Sequence, residues 1–210
     1  MIPIPQQLQN ELHIFSLTDS FITQCMNEIK WNPQSFNGSI EKMKEFVYNT
    51  YLNTDIRLTT TPTLPIFKFE DKEKTINFII LQCDEYNDIS SSIDDQFKET
   101  KNRMMKLSLT DGKTQIYAIE KEHIHCLCMG IKPGFKIALR NVKVRRGIIY
   151  LYNRNIQLLG GEVEELVKLE NERRTALERK YRPSYIPNNV KNHISIPLQN
   201  IDEDEENSDE

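Results

Sequence analysis

Apolar residues recur at helical spacing in the first part of the chain and give way to short, β-rich runs after about residue 60. One apolar stripe consists of Phe21, Ile22, Cys25, Met26 and Ile29. A second stripe consists of Ile40, Met43, Phe46, Val47 and Tyr51. Thr18, Asp19 or Ser20 can cap the first helix, and Ser39 the second. The spacing predicts two helices that pack with a further short helix, as a small N-terminal bundle within residues 1–65.

The β-rich runs beyond a proline-containing connector predict a small barrel. The run Thr75–Cys83 is apolar enough for a buried strand. Asp111-Gly112 supplies a tight hairpin turn between two runs in which apolar and polar residues alternate. Further strands are predicted at residues 136–144, 148–151 and 156–159, before a helix that begins after Gly160-Gly161. We predict an α+β fold, in which the helical bundle packs on a five-stranded OB-fold β-barrel with a C-terminal helix, residues 66–181.

Charge is concentrated at the carboxyl end of the 210-residue chain. Seven acidic residues and no basic ones occupy the last ten positions, so the remaining 27 basic and 24 acidic residues give the body +3 against −4 for the whole chain. Residues 182–210 have little to bury and are predicted to be disordered. The body is much less basic than a dedicated nucleic-acid-binding domain.

The sequence carries neither a secretory signal nor an apolar run of membrane length, which predicts an intracellular protein without a membrane partner. The four cysteines form no spaced framework, so we expect no disulfides. A crowded group contains His123, His125, Cys126 and Cys128. Neighbouring residues on an extended strand face opposite ways, which favours a half-buried strand or loop over a metal site.

Motifs for catalysis are missing from the sequence. It contains no nucleophile elbow, no cysteine with a paired histidine and orienting group, and no phosphate-binding loop. We therefore predict a protein that is not an enzyme, needs no cofactor and has no small-molecule substrate.

The insertion at residues 84–102 is longer than an ordinary connection inside a barrel, so it is a candidate functional loop. Within it, Ile89, Ile93 and Phe97 recur every four residues. In a helix these residues would form one apolar stripe, which either binds a partner or packs on the protein's own barrel. The spacing leaves both alternatives open. The acidic residues of the insertion are expected to be solvated.

A basic cluster is the candidate nucleic-acid site. It consists of Lys143, Arg145 and Arg146, with Lys136 and Arg140 nearby. Aromatic rings for base stacking would come from Phe135, Tyr150 and Tyr152. The alternative is a charged hairpin tip above an ordinary core, because basic and aromatic residues do not interleave densely in the sequence.

Several segments carry recognisable motifs. They are Leu-Thr-Asp-Gly at 109–112, Pro-Gly-x-Lys at 133–136, Arg-Arg-Gly-Ile-Ile-Tyr-Leu at 145–151 and Leu-Gly-Gly-Glu-Val-Glu-Glu-Leu at 159–166. Together they resemble the N-terminal region of the RecQ-mediated genome instability protein 1 family, and the last motif is the most specific. Residues 46–57 resemble the Trp/Tyr-Leu-x-Thr-Asp-Leu-Arg segment that precedes the barrel in that family. The resemblance covers roughly residues 12–180.

The resemblance implies a non-catalytic subunit of a complex between a Bloom/Sgs-type RecQ helicase and topoisomerase III. Such a complex dissolves double Holliday junctions and decatenates DNA in the nucleus, during DNA repair, homologous recombination and replication. The barrel would hold the topoisomerase, and the insertion with Ile89, Ile93 and Phe97 would modulate its gate. Implied contacts on the barrel and terminal helix are Lys136, Leu159, Gly160, Gly161, Glu162 and Val163. DNA contact would be indirect or weak, or would use Lys143, Arg145 and Arg146.

Two departures from the family pattern bear on this reading. The insertion is shorter than in the vertebrate proteins, and an acidic tail stands where longer members carry a second barrel, so we expect no small companion subunit. Two alternatives also stand beside the resemblance. One is an autonomous single-stranded nucleic-acid-binding OB-fold protein. The other is a partner of topoisomerase III beta in RNA metabolism, as in the Tudor-containing relative, which shares the barrel and the Leu-Gly-Gly-Glu-Val motif.

Overall fold

Helices form the first part of the computed structural model, which describes residues 16–67, 72–92 and 98–181. They are α1 (Asp19–Trp31), α2 (Pro33–Phe36), α3 (Ile40–Asn53) and α4 (Ile56–Thr59). The Thr18 side chain caps α1 by accepting a hydrogen bond from the backbone N–H of Phe21, and Ser39 caps α3 in the same way. Both helices that the apolar stripes predict are confirmed, and the short helices α2 and α4 accompany them.

The strands form a closed barrel. They are β1 (Lys74–Asp88), β2 (Met105–Thr110), β3 (Gln115–Glu120), β4 (Lys136–Arg145), β5 (Ile148–Leu151) and β6 (Ile156–Gly160). Their order is β1-β2-β3-β5-β4, and β4 pairs back with β1. The β3–β5 pair is parallel, whereas the other pairs are antiparallel.

Two short strands, β5 and β6, together occupy one strand position of the five-stranded barrel. Both β5 and β6 pair with β4, and a 3-10 turn at Asn153–Asn155 separates them. Helix α5 (Glu164–Tyr181) follows β6. The predicted fold class is confirmed: a helical region, a closed five-stranded mixed OB-fold barrel and a C-terminal helix.

Strand β1 is longer than the sequence predicts. It continues beyond Cys83 to Asp88, and residues 85–88 pair with β2. The polar residues Glu85 and Asn87 are typical of a loop, but they alternate with residues that are buried at positions 86 and 88. The insertion therefore begins five residues later than predicted, and the segment that joins the two strands spans residues 89–104. We call this segment the β1–β2 loop.

Two apolar clusters share one strand of the barrel. The barrel interior includes Ile79 and Leu81 of β1, whereas the intervening Ile80 points to the other side and packs against the helices. Leu159 of β6 packs on the same helical cluster. The continuous apolar run in β1 is explained by burial on both of its faces.

Some of the sequence predictions concern residues outside the described ranges, and others are not tested by the structure. Ile93, Phe97 and residues 182–210 lie outside the described residues, and the domain boundaries at 65/66 and 181/182 remain predictions.

The group at residues 123–128 lies in an irregular loop, where the rings of His123 and His125 meet edge to face with centroids 5.7 Å apart. In the described part of the chain no group of three or more potential metal ligands comes together. None of the helices there is long and apolar enough to cross a membrane.

Candidate partner interface

Three motif segments that are distant in sequence meet where the helices contact the barrel: the end of α3, the turn before β4, and the turn between β6 and α5. Lys136 lies between them. Its ammonium donates hydrogen bonds to the carbonyl oxygens of Leu52 and Thr54, both at 2.7 Å, and of Gly134 at 3.1 Å. The last carbonyls of a helix have no partner within it. Lys136 therefore caps α3 from the barrel.

Glycines allow the close approach at this junction. A Cβ atom at Gly161 would lie 2.1 Å from the carbonyl oxygen of Leu52, and one at Gly134 would lie 2.4 Å from the backbone nitrogen of Val163. Both glycines also have positive φ, +85° and +91°. The Pro-Gly-x-Lys and Leu-Gly-Gly-Glu-Val motifs are thus explained by the packing of the helices on the barrel.

The residues predicted to contact a partner on the barrel divide into buried and partly exposed ones. Lys136 and Val163 are only 0% and 2% exposed, so neither side chain offers a surface to a partner: each is used inside the protein. Leu159 packs on the helical cluster. Partly exposed are Gly160, Gly161 and Glu162.

Charged residues surround the buried Lys136. Burial lowers the pKa of Lys136 from 10.5 to about 8, although attraction to Asp55 and Asp84 opposes this shift. Arg57 binds both of these carboxylates, with nitrogen-to-oxygen distances of 2.9 and 2.5 Å. The ammonium is therefore charged at neutral pH, in spite of its burial.

An open groove of about 480 Å³ lies between α4 and the start of α5. Its lining includes Leu58, whose side chain is 67% exposed, beside Arg57 and Glu165. Sequence reasoning missed Leu58, because the short helix α4 gives no periodic signal. This groove is the exposed surface next to the motif junction.

The β1–β2 loop is closed at its neck by Asp88. This carboxylate accepts hydrogen bonds from the backbone N–H groups of Ser90 and Met104, both at 2.9 Å. The hydroxyls of Ser90, Ser91 and Thr100 donate to it as well. Burial would raise the pKa of Asp88, but the hydrogen bonds outweigh it and lower the pKa to about 2. Asp88 is therefore ionised at neutral pH and joins the two ends of the loop.

An exposed apolar pair lies at this neck. The side chains of Ile89 and Met104 are 45% and 39% exposed, and the backbone N–H of Ile89 donates to the carbonyl of Met104 at 2.9 Å. Of the three apolar residues that the sequence places on one stripe, Ile89 alone lies within the described residues. Met104 is a neighbour that spacing could not reveal, because it comes from the opposite end of the loop.

Arg103 fastens the loop to the barrel. Its side chain is 1% exposed, and it donates to Glu120 at 3.3 Å and to the carbonyls of Ile124 and Leu127 at 2.9 and 2.7 Å. Glu120 also accepts the backbone N–H groups of Met105 and Ile124. One buried ion pair therefore holds the β1–β2 loop, β3 and the loop after β3 together.

The predicted basic cluster is brought together in part. Lys143 and Arg145 both bind Glu73, at 2.8 and 2.5 Å. Arg146 lies in the turn between β4 and β5 with a φ of +50°. Lys136 is buried at the junction with α3. The structure thus places Arg145 and Arg146 with Tyr150 around one groove and Lys143 beside it through Glu73, whereas Lys136 lies apart.

The basic surface continues across the outer side of β2, β3, β4 and β5, where rings lie beside cations. The Lys106 ammonium lies 4.2 Å from the ring centroid of Tyr117, and that of Lys121 lies 4.7 Å from the ring of Tyr150. Tyr150 is the register partner of Lys143. We call these five residues the aromatic–basic face. Its rings and cations interleave across neighbouring strands, which a search along the sequence does not detect.

Comparison with known proteins identifies the family. Residues 64–174, more than half of the chain, match the family model described as RMI1, N-terminal OB-fold domain. The chain belongs to the RMI1 family. The resemblance stated from the sequence motifs is thereby confirmed.

Relatives of the chain carry two different names. It is 31% identical to RecQ-mediated genome instability protein 1 of Xenopus laevis over 178 residues, which cover 71% of this chain and 31% of that protein. It is 27% identical to the Danio rerio protein of the same name, over 80% of this chain and 37% of that protein. It is 35% identical to Tudor domain-containing protein 3 of Xenopus tropicalis, over 56% of this chain and 17% of that protein. The chain spans less than two fifths of the length of each of these relatives.

Sequence reasoning missed the buried charges of this RMI1-family barrel. A signal for Glu120 was available, because it continues the alternation of Ile116 and Ala118 and must share their inward side. Asp88 likewise continues the alternation that begins at Tyr86. No comparable signal marks Arg103, whose partners come from the loop after β3.

Proposed function

We propose that this RMI1-family protein is a non-catalytic nuclear subunit of a complex between a RecQ helicase and topoisomerase III. It binds topoisomerase III through the OB-fold barrel, and the β1–β2 loop modulates the gate of that enzyme. The subunit thereby promotes double Holliday junction dissolution and decatenation in DNA repair and replication. The proposal assigns no catalytic residue and no cofactor to the chain.

Family membership supports a genome-stability role tied to RecQ. The structural observation that supports a role for the β1–β2 loop is the way in which its neck is held together. Asp88, a buried carboxylate, accepts hydrogen bonds from both ends of the segment and so fixes its base. Ile89 and Met104 remain exposed beside that carboxylate, where apolar side chains are available to a partner. The neck of the loop is thus held by hydrogen bonds and presents two apolar side chains.

The test separates binding from gate modulation. Residues 92–98 are replaced by a short glycine-serine linker, which keeps Asp88, Thr100 and Met104 in place. Capture of purified topoisomerase III on the immobilised chain should be unchanged, whereas stimulation of decatenation should fall by about fivefold or more, as for loss of an interface hot spot. A pull-down and a decatenation assay on the same protein samples measure the two quantities.

A matched pair of point variants sharpens this test. Ile89→Ser changes the neck, and Ile40→Ser changes an isoleucine of similar exposure on α3, 49% against 45%. Only Ile89→Ser should reduce decatenation. Equal stimulation by the wild-type and loop-replaced chains would exclude gate modulation. Failure to capture any topoisomerase III would exclude the proposal as a whole.

A second candidate function is autonomous binding of single-stranded nucleic acid, and the aromatic–basic face favours it. Base stacking on aromatic rings together with cations that follow the backbone is the usual basis of such binding. Tyr117 is 45% exposed on this face. Its partner Lys106 and the neighbouring Lys121 place positive charge beside two rings.

Fluorescence anisotropy with labelled oligonucleotides tests this second candidate. The purified chain should bind in the absence of any partner, and binding should weaken as salt concentration rises. Tyr117→Ala should weaken it by about fivefold or more, the range expected for one lost stacking contact, whereas Trp31→Ala, at an exposed aromatic on α1, should not. No change in anisotropy at low salt would exclude autonomous binding.

The relatives that are named for a Tudor domain raise the question of which topoisomerase III the chain binds. The 35% identity to Tudor domain-containing protein 3 is the observation behind a role with topoisomerase III beta in RNA metabolism. Affinity purification of the tagged chain from cells, followed by mass spectrometry, distinguishes the two. Recovery of a RecQ helicase with the topoisomerase supports the genome-stability complex, and its replacement by RNA-binding proteins supports the alternative.

A further inference from the structure

Three consecutive serines follow the carboxylate that closes the neck of the β1–β2 loop. Ser91 donates its hydroxyl hydrogen to Oδ2 of Asp88, the same oxygen that Thr100 reaches from the other end of the loop at 3.3 Å. Oδ1 accepts from Ser90 and from Met104. One carboxylate group is therefore shared by donors from both ends of the loop, and the Ser91 hydroxyl is one of these donors.

The position of Ser91 also suits modification. Its side chain is partly exposed, and Ser92 beside it is exposed. In the sequence, Asp94 stands three positions after Ser91, and Asp95 stands three positions after Ser92, so the acidic pattern fits both serines. Ser91 is chosen for its hydrogen bond to Asp88. Protein kinases select substrates by such charge patterns around the acceptor hydroxyl. An acidic residue three positions downstream suits a serine kinase whose substrate groove is basic.

A plain capping role is the simpler account of Ser91. Such a role accounts for the hydrogen bond from Ser91 to Asp88 as well as for the two from Ser90, because an ionised carboxylate accepts several donors. The acidic residues downstream, which a cap does not need, are what favours a modification site over an ordinary turn.

We propose that Ser91 is a phosphorylation site for an acid-directed serine kinase, and that its phosphate opens the neck of the β1–β2 loop. A nucleoside triphosphate supplies the phosphoryl group. The bond between the Ser91 Oγ and the γ-phosphorus forms, the bond from that phosphorus to the β–γ bridging oxygen breaks, and the hydroxyl proton and the nucleoside diphosphate leave.

Electrostatics give the direction of the effect. The phosphate carries a charge of about −1.5 to −2 at neutral pH and has lost the hydrogen that bonded Asp88. Asp88 stays ionised, because hydrogen bonds hold its pKa at about 2 against the effect of burial. Two anions then face each other where a hydrogen bond was. The carboxylate must turn away, and it releases Thr100 and the Met104 N–H at the other end of the loop.

The first experiment asks whether the site is used. The purified full-length chain is incubated with an acid-directed serine kinase and ATP, and the phosphate is mapped by mass spectrometry. Phosphate on Ser91 in the wild type, and none at that position in Ser91→Ala, is the expected result. Absence of phosphate from Ser91 would overturn the proposal.

The second experiment measures opening directly and does not depend on a topoisomerase. Hydrogen exchange of the Ile89 and Met104 amides is compared between phosphorylated and untreated chains. Both amides should exchange about tenfold faster after phosphorylation, because the Met104 N–H loses its bond to the Asp88 carboxylate and the Ile89 N–H, which donates to the Met104 carbonyl, is at the same neck. Unchanged or slower exchange would overturn the proposal, and slower exchange would indicate that the phosphate binds a cation such as Lys101 instead.

Variants supply the matched control. Ser91→Glu should accelerate exchange at the two amides, whereas Ser92→Glu, which adds the same charge one residue away, should have a much smaller effect. Equal effects of the two variants would show that charge anywhere in the loop is sufficient, and would exclude the specific contact with Asp88. Because the readout is the loop itself, failure of this proposal and failure of the proposed topoisomerase role are distinguishable.

Discussion

Lys136 shows how one residue can join two parts of a protein without an ion pair as its main contact. Its ammonium is completely buried and donates to three carbonyl oxygens, two of them at the end of α3. The aliphatic part of the lysine side chain crosses from the barrel to the helices. The charge of the ammonium strengthens its hydrogen bonds to neutral acceptors. A family motif that resembles a contact site on the surface is therefore a cap in the interior.

The buried ammonium makes stability depend on pH in a defined direction. Burial lowers the pKa of Lys136 from 10.5 to about 8, so between these pH values the unfolded chain binds more protons than the folded one. Stability contributed at this site therefore rises with pH from about 8 to about 10.5. The free energy of unfolding of the wild type, relative to Lys136→Met, should increase by about 2 kcal/mol between pH 7 and pH 9.5.

Urea titrations of the two proteins at both pH values measure this increase. Subtracting the free energy of unfolding of one protein from that of the other removes the contributions of groups that titrate in both. Lys168→Met, at a lysine whose side chain is 65% exposed and whose pKa is raised by the hydrogen bond to Glu164, is the matched control and should show no such increase. A difference that stays constant or falls with pH would contradict the buried, charged state assigned to Lys136.

At the scale of elements, the turn between β6 and α5 determines how closely α3 approaches the barrel. Gly160 and Gly161 both have positive φ, +91° and +85°, but their surroundings differ. A Cβ at Gly161 would overlap the carbonyl group of Leu52, whereas a Cβ at Gly160 would meet nothing within 4 Å. The first glycine is needed for its backbone conformation, and the second is needed also for contact between elements.

This difference predicts unequal costs for the same substitution. Gly160→Ala should reduce the free energy of unfolding by about 1–2 kcal/mol, the penalty of a left-handed conformation. Gly161→Ala should cost at least about 2 kcal/mol more, because backbone atoms of α3 must move. Chemical denaturation followed by circular dichroism measures both. Equal losses would mean that α3 does not lie against this turn.

At the scale of the whole molecule, β1 links the parts. It contributes to the barrel interior and, through Ile80, to the helical cluster, and its last residue closes the neck of the β1–β2 loop. Arg103 then ties that loop to β3 through Glu120. The helices, the barrel and the loop are therefore connected through a single strand and its neighbours.

Regular elements were predictable because their signals are local. The apolar stripes and the Thr18 and Ser39 caps specify α1 and α3, and alternation with Asp111-Gly112 specifies the hairpin of β2 and β3. The motifs were sufficient to recognise the family. The end of β1 was predicted wrongly, because a half-polar strand with a buried aspartate is indistinguishable from an acidic loop until its pairing partner is known.

The sequence by itself determined the helices, the barrel class and the family. These depend on residue spacing within short segments and on motifs that can be recognised without knowledge of contacts. Tertiary structure decided what the charged residues do. It buried Lys136 and Arg103, paired Lys143 and Arg145 with Glu73, and made Asp88 the acceptor for both ends of a loop. The physical reason is that partners from distant positions in the chain decide whether a charged side chain is buried, paired or exposed. The spacing of residues along one segment does not identify those partners.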